Sequence, residues 1–112
     1  MSAVFIHEGN SIDHTPGADV AAGDVVVQGE LVGVAKLDIP ANTLGALAVA
    51  GVFDFPKATS GGSAITAGAE VYWDEAAGEA TTDAAAGANK RVGRCIAAAA
   101  DGDAVVRARM SQ

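Results

Sequence analysis

Hydrophobic residues along this chain fall in short runs separated by Gly, Pro, Asp and Asn, a pattern that predicts strands joined by tight turns. Val4-Phe5-Ile6 is the first predicted strand. The stretch from His7 to Asp19 is polar, carries a Pro16-Gly17 turn signal and has no core face, so residues 1–19 read as a possible arm or extended loop. Val25-Val26-Val27 and Leu31 to Ala35, separated around Gly29-Glu30, form a hairpin pattern. From Leu44 the chain alternates as one extended strand. Leu47, Val49, Gly51, Phe53 and Phe55 share one face, and Ala46, Ala48, Ala50, Val52 and Asp54 the other. Both faces are nearly apolar, which predicts burial on two sides or a subunit contact.

Beyond the Ser/Gly-rich loop at 59–63, Glu70 to Asp74, Val92 to Ala97 and Ala104 to Met110 are further predicted strands. Glu75 to Asn89 reads as a loop-rich excursion, with a possible helical turn at Ala84-Ala85-Ala86. In the last strand Val105, Arg107 and Arg109 share a face that should be exposed or interfacial. The order Ala22-Gly23, valine strand, Val32-Gly33-Val34-Ala35 recurs as Ala67-Gly68, Val71-Tyr72, Val92-Gly93-Arg94-Cys95, as two similar β halves would produce. The expected fold is all-β: a compact small barrel or sandwich of short strands with glycine-rich turns and a polar N-terminal arm.

At 112 residues the chain fits a single domain, 1–112. Its core should be thin, because alanine supplies much of the hydrophobic content and only Phe5, Phe53, Phe55, Tyr72 and Trp73 are aromatic. A thin core in a small domain predicts stabilisation by association.

The formal net charge of −7 argues against a protein that neutralises nucleic-acid phosphates. Charge is also unevenly spread. The last 23 residues hold five basic and two acidic residues, whereas the first 89 hold two and twelve. One copy's C-terminal region could therefore face another's acidic surface, or the charges could be ordinary solvated ones. Cys95 is alone, which offers no disulfide framework and fits a reducing cytoplasm. With no signal-like start and no run of eighteen apolar residues, neither secretion nor membrane insertion is expected.

Catalytic patterns are sparse. None of Lys36, Lys57 and Lys90 lies in a phosphate-binding Gly-x-x-x-x-Gly-Lys-Ser/Thr loop. His7, Glu8, Asp13 and His14 could be assembled into a metal or acid–base site, but match no ligand spacing and read as solvated side chains, so neither metal nor cofactor is expected. Cys95 reads as a small core residue, with Arg94 on the opposite face of its strand. Tyr72 and Trp73 also point to opposite faces, one to the core and the other available as a contact anchor.

The succession Ala22-Gly23-Asp24-Val25-Val26, Val32-Gly33-Val34-Ala35, Ile39 to Thr43, Gly51 to Lys57, Gly68 to Asp74 and Val92-Gly93 resembles a family of small tailed-phage and prophage proteins known as capsid cement, or head decoration, proteins. Some of these carry a RecA/RadA recombinase label, which the missing phosphate loop does not support. The resemblance implies a non-enzymatic, commonly trimeric β protein, made in the host cytoplasm and attached to the outside of a head built by a major capsid protein. The residues then suggest a subunit interface at Leu47, Val49, Phe53, Phe55, Arg107 and Arg109, and capsid contacts at Val4, Phe5, Ile6 and Trp73. A tail- or fibre-associated β module is the alternative, with a nucleotide-dependent recombination factor a more distant one.

Overall fold

A computed structural model describes residues 3–6 and 9–111. Strands β1 (Ser11–His14), β2 (Val25–Gln28), β3 (Leu31–Ala35) and β4 (Gly45–Ala48) form an antiparallel sheet in the order β1-β4-β3-β2. A second antiparallel sheet, β5-β9-β8-β6-β7, contains β5 (Gly51–Pro56), β6 (Glu70–Asp74), β7 (Glu79–Thr81), β8 (Lys90–Cys95) and β9 (Val105–Met110). The two sheets pack in a sandwich-like arrangement. A parallel bridge from Lys57 to Ala80 draws the edges of the five-stranded sheet toward each other without closing a barrel.

The faint sequence echo corresponds to a repeated topology. Strands β1, β4, β3 and β2 occupy the same order as β5, β9, β8 and β6, with β7 appended in the second half. The loops repeat as well. The Val20–Ile39 bridge corresponds to Ile65–Ala99, and the Gly23 N–H to Ala35 O bond (2.6 Å) corresponds to Gly68 N–H to Cys95 O (2.9 Å).

The main core lies between the sheets. Val32 and Val34 of β3 join Phe55, Val71, Trp73, Val92, Val106 and Met110 of the five-stranded sheet. At roughly 1.5–3 kcal/mol for each large side chain removed from water, this cluster is the principal source of stability. On the other face of the four-stranded sheet Ala35, Ile39 and Leu47 form a smaller cluster with Ile12, Val20 and Val26. That second cluster explains why Leu31–Ala35 is apolar at every position: the strand is covered on both faces.

Many acids serve the turns. Asp19, Asp24 and Asp38 accept the backbone N–H groups of Ala41, Ala21 and Ala22 at 2.8, 3.0 and 2.8 Å. Asp101 and Asp103 do the same in the second half for Ala64 (2.8 Å) and Ala100 (2.9 Å). A carboxylate that satisfies a loop amide holds the chain in its turn without needing apolar burial.

Three predicted elements change. Val4–Ile6 has no strand pairing, and β1 instead lies inside the polar stretch. The long strand predicted from Leu44 breaks at Val49-Ala50 into β4 and β5, which belong to different sheets. Gly51, at φ +115°, adopts a backbone conformation that L side chains disfavour, and so permits this change of sheet. The alanine-rich excursion contains β7 and a 3-10 turn at Ala85–Gly87.

Candidate interaction surfaces

Strict alternation along β9 buries Val106, Ala108 and Met110 and turns Val105, Arg107 and Arg109 outward. Pairing then builds a face around them. Val52 lies opposite Arg109, Asp54 opposite Arg107 and Pro56 opposite Val105 on β5, while Arg94 of β8 lies opposite Arg109 on the other side. Ile96 follows β8 and donates its N–H to Arg107 O at 2.9 Å. Val52, Ile96 and Val105 are about half exposed, at 51, 51 and 49%. This outer face therefore mixes solvent-facing aliphatic side chains with arginines.

Its charges are organised. Arg107 grips Asp54 with Nε–Oδ1 at 2.9 Å and Nη2–Oδ2 at 3.1 Å, the two-pronged geometry that favours arginine over lysine. Glu70 accepts the Tyr72 hydroxyl at 2.9 Å and pairs with Arg94 at 3.5 Å and Arg91 at 3.6 Å. Arg109 makes no ion pair among the described residues.

Hydrogen bonding from Arg107 holds the Asp54 carboxyl below its ordinary value of 3.8. The Tyr72 hydroxyl, followed by the charges of Arg91 and Arg94, holds Glu70 below 4.5. A carboxylate whose pKa is depressed by folding contributes stability that is present above its unfolded value and is lost as pH falls through the folded one. An Asp54→Asn/Glu70→Gln variant is therefore expected to melt slightly below the parent at pH 7. The gap should close as the pH falls below the ordinary carboxylate values and through the lowered folded ones, measured as Tm against pH. Both groups are solvent-exposed, so the effect is small.

The N-terminal segment forms a second surface. Val4, Phe5 and Ile6 are 75, 78 and 79% exposed, three consecutive large apolar side chains outside both sheets. Isolated surface hydrophobics are ordinary, but a contiguous apolar run is not.

Three residues expected at contacts lie elsewhere. Leu47 and Phe55 are 1% exposed and Trp73 is 6% exposed. Leu47 belongs to the smaller cluster, while Phe55 packs against Trp73 at a ring-centroid distance of 6.2 Å in the main core. Their apolar surface is consumed within the chain. Val49 and Phe53 are half-buried, with Phe53 packed edge-on to Phe55 at 6.3 Å. Arg107 and Arg109 are exposed.

Among the residues once considered for a metal or acid–base site, His7 and Glu8 lie outside the described residues, and Asp13 and His14 are successive positions of β1. No metal-ligating cluster occurs among the described residues. Cys95 is buried, with its thiol donating to Thr66 O at 2.7 Å. Lys57 is a buried polar residue for which the sequence contains no signal. Its ammonium donates to the carbonyls of Ala58 (2.7 Å), Asp103 (3.0 Å) and Asp101 (3.3 Å) and to Ser63 Oγ (3.4 Å).

A family model described as "Phage cement protein" matches residues 6–110, nearly the whole chain. The chain belongs to the phage cement protein family. Searches of curated proteins and of solved structures return no match. The family is a structural one whose members associate with the phage capsid, so the surfaces of this cement protein matter more than its interior. No helix among the described residues is long and apolar enough to cross a membrane.

Proposed function

We propose that the chain oligomerises, most simply as a trimer, and attaches to the outer surface of the major capsid protein lattice, where it stabilises the head by binding rather than by catalysis. Residues 9–111 act as one structural unit, and Val4, Phe5 and Ile6 reach the capsid. The observation that carries this reading is the exposure of all three side chains on a chain that belongs to the cement family. Subunit association involves Val49, Phe53, Arg107 and Arg109, the interface residues whose side chains the core does not fully enclose. Several moderate contacts made by one oligomer raise the effective concentration for the next, which lets weak individual sites clamp a shell.

Burying three such side chains contributes several kcal/mol at roughly 1.5–3 kcal/mol each, before the cost of ordering the arm. Deleting residues 2–8 is therefore expected to weaken addition to capsids lacking cement protein by about 100-fold or more while leaving the thermal unfolding of the remainder near that of the parent. Sedimentation of capsid mixtures measures this. Undiminished binding by the truncated chain would remove the arm from the contact, and a parent chain that never adds to capsids would overturn the cement reading.

A further inference from the structure

One strand edge of the first half is open where the second half covers its own. The loop contacts that repeat fix the correspondence. Val20 and Gly23 match Ile65 and Gly68, 45 positions on, whereas Ala35 and Ile39 match Cys95 and Ala99, 60 positions on. The fifteen residues by which these offsets differ fall between β6 and β8 and contain β7. By the first offset Val27 matches Tyr72, and Tyr72 lies opposite Thr81 of β7, with Ala80 buried next to it. Beside β2, no strand among the described residues takes that place.

Antiparallel pairing turns alternate main-chain groups outward. The Ala35 N–H bond to Asp24 O (3.0 Å) and the register of β2 on β3 direct the N–H and C=O of Val26 and Gln28 toward β3, and those of Val25 and Val27 away from it. This edge has none of the usual guards against further pairing. β1 carries Asp13 and His14 and β5 ends at Pro56, but β2 reads Val-Val-Val-Gln, with no charge, proline or bulge. A cleft of about 410 Å³ opens against it, with Val20, Val25, Val27 and Trp73 in its lining. The charged side chains of the cleft are Asp24 and Glu75, both acids. Lys90, toward the β2–β3 turn, is paired with Glu30 at 3.1 Å.

We infer that the β2 edge takes up an extended segment of the major capsid protein as an added strand, in the place that β7 fills on β6. The segment carries a small apolar residue at its centre, as β7 carries Ala80, and a lysine or arginine that meets Asp24 or Glu75. This rests on the cement reading and names the chemistry of the partner's contact. Main-chain bonds to Val25 and Val27 supply affinity, and the acids select the segment. A second copy of the chain offers no such segment. It has no lysine or arginine before Lys36, so its N-terminal residues bring no cation. Arg91, Arg94, Arg107 and Arg109 lie on β8 and β9, which are internal to the five-stranded sheet.

Amide hydrogen exchange on the full chain, free and bound to capsids that lack cement protein, tests this directly. In the free protein the Val25 and Val27 amides should exchange fast and those of Val26 and Gln28 slowly. On capsids Val25 and Val27 should slow by about ten-fold or more. Val27→Pro removes one outward donor and no bond to β3, so it should weaken capsid addition by about ten-fold or more. Val27→Thr keeps the donor and should add like the parent, and Glu75→Lys, at an exposed site, should weaken addition. Circular dichroism checks that each variant is folded; if Val27→Pro is not, exchange on the parent decides. Val25 and Val27 amides that stay fast on capsids overturn the inference and leave the cement reading standing. Amides already slow in the capsid-free protein also overturn it, and assign the edge to another copy. A parent that never adds to capsids removes both.

Discussion

Gly93→Ala is expected to lower the melting temperature by about 10–25 °C, or to prevent accumulation of folded protein, although it adds one methyl group. Gly93 sits at the centre of the five-stranded sheet, opposite Val71 on one side and Met110 on the other. A Cβ at this position would lie 1.9 Å from Arg109 O and 2.8 Å from Ser111 N. Both are backbone atoms, and β9 cannot retreat because it is hydrogen-bonded to β5 along its whole length and to β8 on its other edge. Relief therefore requires displacing a central strand. That places the cost at or above the upper end of ordinary overpacking, about 3 kcal/mol, out of a total stability of roughly 5–15 kcal/mol for a domain of this kind. Gly102→Ala is the matched control, since nothing lies within 4 Å of its added Cβ, and it should shift stability by less than about 0.5 kcal/mol. Thermal unfolding followed by circular dichroism compares them. A Gly93→Ala protein melting within two or three degrees of the parent would mean that β8 and β9 are not packed this closely.

The elements most legible in the sequence were those in which one side-chain pattern served one burial environment. Glu70–Asp74 and Val105–Met110 alternate buried and less buried positions, and the Val25–Ala35 hairpin is set by valine runs on either side of Gly29-Glu30. β1 is obscured because it pairs at a sheet edge, where Ile12 is its one apolar residue. β7 is obscured because Ala80 alone of its three residues is buried. The stretch from Leu44 to Phe55 misleads for the opposite reason. Its alternation continues through Val49-Ala50 while the chain passes from one sheet to the other, and a period of two carries no record of which sheet a strand joins.

The same limit separates the surfaces. Leu47, Phe55 and Trp73 are as apolar as any contact residue, but their partners are other residues of the same chain, which hydrophobicity alone does not reveal. Arg107 and Arg109 were legible as a face because they alternate with buried positions. Val52 and Ile96 join that face only through the register of β5 and the bond from Ile96 to Arg107.

Lys57→Met is expected to destabilise the protein by about 2–4 kcal/mol and to loosen one end of the second half selectively. An ammonium withdrawn from water needs nearly all its hydrogen-bonding capacity satisfied, and here the acceptors are three main-chain carbonyls and one hydroxyl rather than a carboxylate. The acceptors come from two separate segments, the loop after β5 and the Asp101–Asp103 turn before β9. One side chain thus ties those segments together where the Lys57 N–H also bonds Ala104 O at 2.9 Å. Methionine preserves much of the apolar stem but supplies no donor, so the carbonyls lose their partner while the packing is nearly kept. The signature should be local as well as global. Amide exchange at Ala64, Ile65 and Ala99, whose N–H groups are bonded across the same two segments, should accelerate more than exchange in the β2–β3 hairpin. Lys36→Met, at an exposed site, should do neither. If Lys57→Met matched the parent in both stability and exchange, the carbonyl cage would be incidental, and the junction between these segments would be held by the Ile65–Ala99 bridge, the main-chain bond from residue 57 to Ala104 O and the Ala64 N–H to Asp101 Oδ1 bond.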